Sequence, residues 1–164
     1  MVVRRIRADE GRALREIRLG ALRDAPEAFG SSLAREEPLT DVEWDERARQ
    51  SAEGEERAAF AAERGGRWIG LVGGFRPHPG SPRVELISMW TDPAERGRGV
   101  GRALVDAVVD HARATGASQV YLWVMRGNPA ALALYEACGF RPGEGERPPT
   151  SDACRDELWL VLPL

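Results

Sequence analysis

The sequence predicts an α/β protein in which one mixed sheet is flanked by helices, in the order β-α-α-β-β-β-α-β-α-β-β. Two apolar runs, at residues 84–91 and 118–125, are separated by a strongly amphipathic stretch. This is the pattern of two parallel strands joined by a crossover helix. A hairpin signal at Gly65-Gly66 and two apolar segments near the end of the chain add antiparallel strands, so the sheet contains both directions.

The N-terminal part begins with a strand and a helix. Residues 2–7 alternate loosely between apolar and charged side chains, which favours a strand. Asp9 is expected to cap a helix that runs to about Leu22, because an apolar stripe with helical spacing follows it. Residues 24–32 contain a proline and a glycine and predict an irregular, partly apolar turn.

A second helix and a hairpin come next. Either Thr40 or Asp41 is expected to cap this helix. Residues 57–63 and 67–76 then predict two antiparallel strands around Gly65-Gly66, a turn in which both residues need positive φ.

The second half of the chain alternates strands and helices. The strand at 84–91 leads into a helix from about residue 99 to 115, and a buried strand over 118–125 follows. Asn128 is a good N-cap, with proline at the first helical position and Gly139 at the C-terminal stop. Two last strands, from residue 140 and over 157–162, close the order.

Composition limits the function classes. With 164 residues, 43% of them hydrophobic and 30% charged, the chain is expected to form a single domain, 1–164, with a proper core. The charged N-terminus and the absence of a long apolar run argue against a signal peptide, a membrane span or a membrane partner. The net charge of −3 argues against nucleic-acid binding.

Cysteines and histidines are few. Two cysteines, Cys138 and Cys154, make a disulfide framework improbable and fit a reducing cytoplasm. Together with His78 and His111 they lack metal-ligand spacing, so no metal is expected.

The glycine-rich turn 96–102, Arg-Gly-Arg-Gly-Val-Gly-Arg, lies between the strand at 84–91 and the next helix. The first N–H groups of a helix lack intrahelical partners, and glycines let an anion approach them closely. We interpret the turn as a phosphate or pyrophosphate site, while an ordinary strand-to-helix turn remains the alternative. A nucleotide-hydrolase phosphate loop is excluded because the chain has no lysine. A dinucleotide motif is disfavoured because its glycine spacing differs.

The turn resembles the pyrophosphate-binding motif of the GNAT acyltransferases, Arg/Gln-x-x-Gly-x-Gly/Ala, with Arg96, Gly99 and Gly101 at the defining positions. Residues 89–93 resemble the strand end before that motif. Residues 128–140 resemble a second signature, Asn-x-x-Ala-x-x-x-Tyr-x-x-x-Gly-Phe. The resemblance covers about residues 84–141, and the predicted element order is that of the GNAT fold.

The resemblance implies an acetyl-CoA cosubstrate. In the family, the strand before the turn carries a bulge and presents backbone amides to the pantetheine and the thioester carbonyl, although this sequence shows no bulge. The positions that match coenzyme-binding residues are Met89, Trp90, Thr91, Arg96, Gly97, Arg98, Gly99, Val100, Gly101, Arg102, Asn128 and Tyr135.

Acetyl transfer from a thioester to an amine requires a base, a stabilised oxyanion and an acid for the thiolate. By resemblance, Tyr135 matches the tyrosine that faces the coenzyme sulfur, and Asn128 lies two helical turns earlier on nearly the same face. The alternative is that Tyr135 is a core residue, because it also lies on an apolar stripe.

Glu85 is the first candidate for the base. Alternation along its strand places it on one face with Ile87 and Met89, where an unpaired carboxylate tends to a raised pKa. It also matches the position of the base glutamate in histone-acetylating relatives. Two alternatives remain open: Glu85 forms a salt bridge with an arginine, or a water relay uses another carboxylate, namely Glu36, Glu37 or Glu144.

The sequence does not identify the amine acceptor. By resemblance, the acceptor is expected to contact Phe29, Ser31, Ser32, Trp44, Trp123 and the loop 148–152. The leading hypothesis is an N-acetyltransferase that acts by direct attack on a primary amine of a small molecule or protein. The alternative is a non-catalytic acyl-CoA-binding regulatory domain of the same fold. A homodimer is left open.

Overall fold

The computed structural model describes residues 1–145 and 156–164, and in these residues seven strands form one sheet with helices on both faces. The strands are β1 (Val2–Arg5), β2 (Arg57–Arg64), β3 (Arg67–Phe75), β4 (Arg83–Thr91), β5 (Gln119–Met125), β6 (Arg141–Pro142) and β7 (Glu157–Pro163). The helices are α1 (Gly11–Asp24), α2 (Leu33–Glu36), α3 (Asp41–Glu53), α4 (Val100–Ala114) and α5 (Pro129–Ala137), with 3₁₀ turns at Pro26–Ala28 and Pro93–Glu95.

The mixed α/β prediction is confirmed, with one element added. The single-turn helix α2 was not predicted, because one turn is too short to show helical periodicity. The Thr40 cap is confirmed as a capping box with Glu43.

The predicted cap of α1 is wrong: the N-cap position is Glu10, not Asp9. The carboxylate of Glu10 gives no cap hydrogen bond. It accepts hydrogen bonds from the Arg4 guanidinium at 2.6 Å and from the Arg7 backbone N–H at 2.7 Å, so it closes the turn before the helix instead.

The strand order is β1-β2-β3-β4-β5-β7-β6, and β4 and β5 are the parallel pair. Their pairing is short. It covers three residue pairs and ends at Glu85 opposite Tyr121, although both strands continue further. Beyond Glu85 the two strands diverge, and a cleft opens at their carboxyl ends.

A bulge in β4 lies beside this cleft. Leu71 pairs with Trp90, but Gly73 pairs with Ile87, so β4 holds one residue more than β3 over this interval. Ser88 has a φ of 56°, in the left-handed region that side chains seldom adopt.

The bulge corrects the predicted alternation along β4. Glu85 and Ile87 share one face, but Met89 packs into the cluster that contains Leu86 on the other face. An inserted residue reverses the side-chain alternation after it, and loose alternation in the sequence does not reveal that reversal.

Two apolar clusters cover the two faces of the sheet. Helices α4 and α5 cover one face, with Leu104, Val108 and Phe140 fully buried. Helices α1 and α3 cover the other face around Leu22 and Trp44. Among the described residues, no helix combines the length and apolar character that a membrane crossing requires.

Candidate active site

The glycine-rich turn between β4 and α4 forms a cluster of free backbone amides. Gly97 and Gly99 have φ of 72° and 79°, and Gly99 is the N-cap of α4. Within the described chain, the N–H groups of residues 97–102 donate to no backbone carbonyl. Such a run at a helix N-terminus is suited to a phosphate or pyrophosphate group.

The glycines of this turn differ in what surrounds them. A Cβ added at Gly97 or Gly99 would meet no atom within 4 Å. A Cβ at Gly101 would lie 3.0 Å from Leu134 Cδ2 and 3.4 Å from Met89 Cε. Gly101 therefore permits close packing of α4 against α5 and β4, whereas Gly97 and Gly99 border open space.

Three arginines surround the turn, and each has a partner in the protein. Arg98 lies 3.6 Å from the Glu95 carboxylate, and Arg102 donates to the Ala137 carbonyl at 3.1 Å. These guanidinium groups are more than half exposed, so their pairings contribute little stability, and a phosphate can compete for them.

Arg96 links the turn to the opposite side of the sheet. It forms an ion pair with Asp24 at the end of α1 and donates to the Thr91 carbonyl at 3.1 Å. Asp24 also accepts from the Trp90 indole N–H at 2.9 Å. The Trp90 hydrogen bond and the Arg96 guanidinium together lower the pKa of Asp24 and keep it ionised.

A cavity of about 500 Å³ occupies the cleft between the diverging strands β4 and β5. Glu85 and Met89 from β4, Trp123 from β5, and Asn128 and Tyr135 from α5 all contribute to its wall. The structure thus brings both predicted catalytic residues to one cavity, although they are 50 positions apart in the sequence.

Tyr135 is 6% exposed and packs edge-on against the Phe140 ring, with centroids 5.8 Å apart. Its hydroxyl has no hydrogen-bond partner among the described residues. Burial raises the pKa of Tyr135, so the hydroxyl keeps its proton at neutral pH. The residue is therefore both part of the core and part of the cavity wall.

Asn128 acts first as a helix cap. Its side-chain oxygen accepts from the Ala131 backbone N–H at 3.1 Å, and it also lines the cavity.

Glu85 lies half-buried at the last parallel pair. Burial raises the pKa of Glu85, and the nearby Glu157 charge adds to this effect, although a hydrogen bond from Tyr121 opposes it. The Tyr121 hydroxyl donates to Glu85 Oε2 at 3.3 Å. Among the described residues Glu85 forms no ion pair, so the arginine salt bridge left open by the sequence is not found.

The other carboxylates considered for a water relay are less suited to act as a base. Burial favours a raised pKa at Glu36, but hydrogen bonds from Arg18 and Ser31 and the Arg47 charge lower it overall. Glu37 pairs with Arg23 at 3.0 Å on the surface, and Glu144 is exposed outside the cleft.

A second cavity of about 430 Å³ adjoins the first on the α1/α3 face. The two cavities share five lining residues, namely Arg18, Ser31, Arg57, Ile87 and Ser88. We call the two cavities together the acceptor cleft. Of the residues expected to contact the acceptor, Phe29, Ser31 and Trp123 line the first cavity and Trp44 lines the second. Ser32 borders a neighbouring depression, and the loop 148–152 lies outside the described residues.

Arg18 organises this cleft and was not identified from the sequence. It is bonded to Glu36 at 2.8 Å and to the bulge residue Ser88 at 3.3 Å, and its guanidinium lies 4.7 Å from the centre of the Phe29 ring. The available signal in the sequence was the position of Arg18 beside the apolar stripe of α1. That signal does not identify its partners, because Glu36 and Ser88 are far away in the sequence.

The described residues contain no group of three or more His, Cys, Asp or Glu side chains that could hold a metal ion. His111 packs against the Phe60 ring, and burial lowers its pKa.

Comparisons with known proteins find acetyltransferases among the relatives of this chain. The chain is 41% identical over 85 residues to a mycothiol acetyltransferase of Thermobispora bispora, a match that covers 49% of this chain and 29% of that protein. It is 35% identical over 81 residues to the ribosomal protein bS18-alanine N-acetyltransferase of Escherichia coli, covering 48% and 55% of the two chains. The matched segments thus span between a quarter and somewhat over half of these relatives.

The fold matches that of PaiA N-acetyltransferase from Thermoplasma acidophilum in complex with coenzyme A. The TM-score is 0.77 at 13% identity, over 99% and 98% of the two chains. The family model described as the acetyltransferase (GNAT) family matches residues 19–140, which is most of the chain. With its diverging parallel strands and free amides at the start of α4, the chain belongs to the GNAT acetyltransferase family.

Proposed function

We propose that this protein is an N-acetyltransferase that moves an acetyl group from acetyl-CoA to a primary amine of a small molecule or protein by direct attack. One observation carries the proposal. Glu85, with a raised pKa, and Tyr135, protonated and without a partner in the described chain, line one cavity between β4 and β5.

The residues present fit the coenzyme. The free amides of residues 97–102 and the flanking arginines would hold its pyrophosphate, and the unpaired edge of β4 around Met89, Trp90 and Thr91 would take the pantetheine. Acetyl-CoA supplies the acetyl group as a thioester.

Within this arrangement, Glu85 accepts a proton from the ammonium form of the acceptor, directly or through water. Backbone N–H groups at the β4 bulge stabilise the negative charge that develops on the carbonyl oxygen. As the C–N bond forms and the C–S bond breaks, the Tyr135 hydroxyl donates its proton to the departing sulfur, and the proton that the nitrogen loses on becoming an amide restores the hydroxyl. Asn128 fixes the first turn of α5 and thereby the position of Tyr135, which lies on the same helix.

The test measures two quantities on the same preparation. Release of free thiol from acetyl-CoA in the presence of a panel of primary amines reports transfer, and calorimetry reports coenzyme binding. Amine-dependent thiol release supports the enzyme. Tight coenzyme binding without release for any amine would identify the non-catalytic acyl-CoA-binding domain instead.

A further inference from the structure

The charges that line the acceptor cleft are not all paired with one another. Three guanidinium groups and three carboxylates contribute to its walls: Arg18, Arg47, Arg57, Glu36, Glu85 and Glu157. Glu36 binds both Arg18 at 2.8 Å and Arg47 at 3.1 Å, so one carboxylate serves two guanidinium groups. Arg57 forms no ion pair with any described residue, although it lines both cavities.

The Arg57 guanidinium group is positioned by an aromatic ring, which leaves its N–H donors available for a ligand. It stands at the start of β2, with its guanidinium 4.7 Å from the centroid of the Phe75 ring on the neighbouring strand. Stacking on an aromatic face orients the guanidinium plane but uses none of its N–H donors. An edge of this kind suits a carboxylate, which accepts two parallel hydrogen bonds.

Arg57 and Glu85 lie in one row across the sheet. Arg57 pairs with Phe75, and Phe75 pairs with Glu85. Two strand spacings place the backbones of Arg57 and Glu85 about 10 Å apart. One end of the row thus carries an uncompensated cation and the other an uncompensated carboxylate, both within the acceptor cleft.

A second row, Ala59, Gly73 and Ile87, runs beside this one and lines the second cavity. The Ile87 side chain lies against Gly73, where an added Cβ would be 3.0 Å from Ile87 Cγ1. Because Ala59 and Gly73 are small, the cavity extends beside the row of Arg57, Phe75 and Glu85.

We propose that the acceptor is an amine that also carries a carboxylate, as an amino acid does, with its amino group toward Glu85 and its carboxylate on Arg57. This inference rests on the proposed function, because it assigns the substrate of the same site. It adds a specificity-determining residue that has no part in the chemistry of transfer.

The test uses pairs of amines that differ by the carboxylate: phenylalanine with 2-phenylethylamine, leucine with 3-methylbutylamine, and histidine with histamine. Thiol release gives kcat/KM for each amine with wild-type protein and with Arg57→Gln. For the carboxylated members the variant should lose about tenfold to a hundredfold in kcat/KM, mostly through KM, as expected for one charged hydrogen bond. For the decarboxylated members it should lose little.

Arg113→Gln is the matched control. It removes one positive charge from an exposed position of α4, on the opposite face of the sheet, and should leave all six rates unchanged. Arg57→Lys should lose less activity than Arg57→Gln, because lysine keeps the positive charge but lacks the two parallel N–H donors of the guanidinium group. An equal loss for both members of each pair, or equal use of both by the wild type, overturns the inference.

A binding measurement separates this inference from the proposed function. The same amines are titrated by calorimetry into the protein with coenzyme A present. If no amine is acetylated, the proposed function fails, but selective binding of carboxylated amines that Arg57→Gln abolishes still supports the inference. Absence of such binding, with coenzyme affinity retained, overturns it.

Discussion

At Glu85 the folded state and the proposed role as a base have opposite requirements. Its pKa is raised in the folded protein, mainly by burial, so the folded state binds a proton that the unfolded chain releases at lower pH. This contribution to stability is present in full below the ordinary carboxyl pKa. It is lost as pH rises through the raised folded value. The base that we propose Glu85 to be must be ionised, so the proposed reaction needs the form that the fold disfavours.

Glu85→Gln should therefore abolish most turnover and stabilise the protein. We expect turnover at neutral pH to fall by about a hundredfold, with coenzyme affinity retained, because the amide cannot accept the proton. The melting temperature at pH 7 should exceed that of wild type, and the difference should disappear near pH 4. Steady-state rates and melting curves at both pH values check these expectations.

Glu157→Gln is the control for Glu85→Gln, since Glu157 lines the same cavity and its charge raises the pKa of Glu85. Turnover should persist, with the acidic limb of the pH–rate profile moved to lower pH. Wild-type turnover in Glu85→Gln at every pH would transfer the role of base to a water relay.

Tyr135→Phe should reduce turnover and leave stability almost unchanged. The substitution keeps the ring that packs on Phe140, and the hydroxyl it removes has no partner in the described residues. An acid for the leaving thiolate acts when the C–S bond breaks, so kcat should fall by roughly tenfold or more, and coenzyme affinity should not change. Thermal melts and rates on this one variant decide: intact turnover with reduced stability would make Tyr135 a core residue alone.

At the scale of residues, the sequence predicts roles that depend on sequence neighbours, but not roles that depend on residues far away in the chain. The Asn128 cap and the glycine turn before α4 follow from local signals. The structure confirms the Asn128 cap and begins α4 directly after Gly99. Arg18 and Tyr121 were missed because their partners, Glu36 and Glu85, are brought to them only by the packing of helices and the pairing of strands.

At the scale of elements, β4 shows how one residue changes a site. Apolar side chains occur on both sides of this strand, because helices cover both faces of the sheet, so the sequence carries no strict alternation to break. The bulge at Ser88 is consequently invisible in the sequence, although it reverses the direction of Met89 and opens the backbone beside the cleft. The element order was predictable from periodicity, whereas the bulge was not.

The glycines around α4 allow a prediction for the turn. Gly99→Val should weaken acetyl-CoA binding at least tenfold, because a branched side chain at a φ of 79° distorts the amides and occupies the space that we assign to the pyrophosphate. Gly116 has a φ of 75° and equally open surroundings at the other end of the helix. Gly116→Val is thus matched for backbone strain and should bind the coenzyme normally; calorimetry on both variants makes the comparison.

Gly101→Val should behave differently, since its side chain would meet Leu134 and Met89. We expect a loss of about 1–3 kcal/mol in the free energy of unfolding from overpacking. Equal coenzyme affinity for Gly99→Val and Gly116→Val would contradict the pyrophosphate assignment, whereas a stable Gly101→Val would contradict the packing role of that glycine.

On the scale of the whole molecule, the parallel pair β4 and β5 forms a weakly connected junction in the middle of the sheet. Three residue pairs join them, whereas seven join β5 to β7. The apolar cluster on the α4 and α5 face includes residues of both strands, with Val84 of β4 and Val120 of β5 fully buried. The short pairing leaves the cleft, and this cluster packs both strands into one core. That residues 1–164 form a single domain stays a prediction, and a homodimer stays open.

A coenzyme that bridges this junction should stabilise the molecule as a unit. Acetyl-CoA at a hundred times its dissociation constant should add about 2.7 kcal/mol to the free energy of unfolding. In a protein of this size that corresponds to a rise of about 5–10 °C in melting temperature. Each further tenfold in ligand should add about 1.4 kcal/mol, and the transition should remain single, because the site draws on β4, α4 and α5 together. Scanning calorimetry over a concentration series measures this, with adenosine as the control that lacks pyrophosphate and pantetheine. An unchanged melting temperature with acetyl-CoA, or an equal rise with adenosine, would show that the turn and the cleft do not hold the coenzyme together.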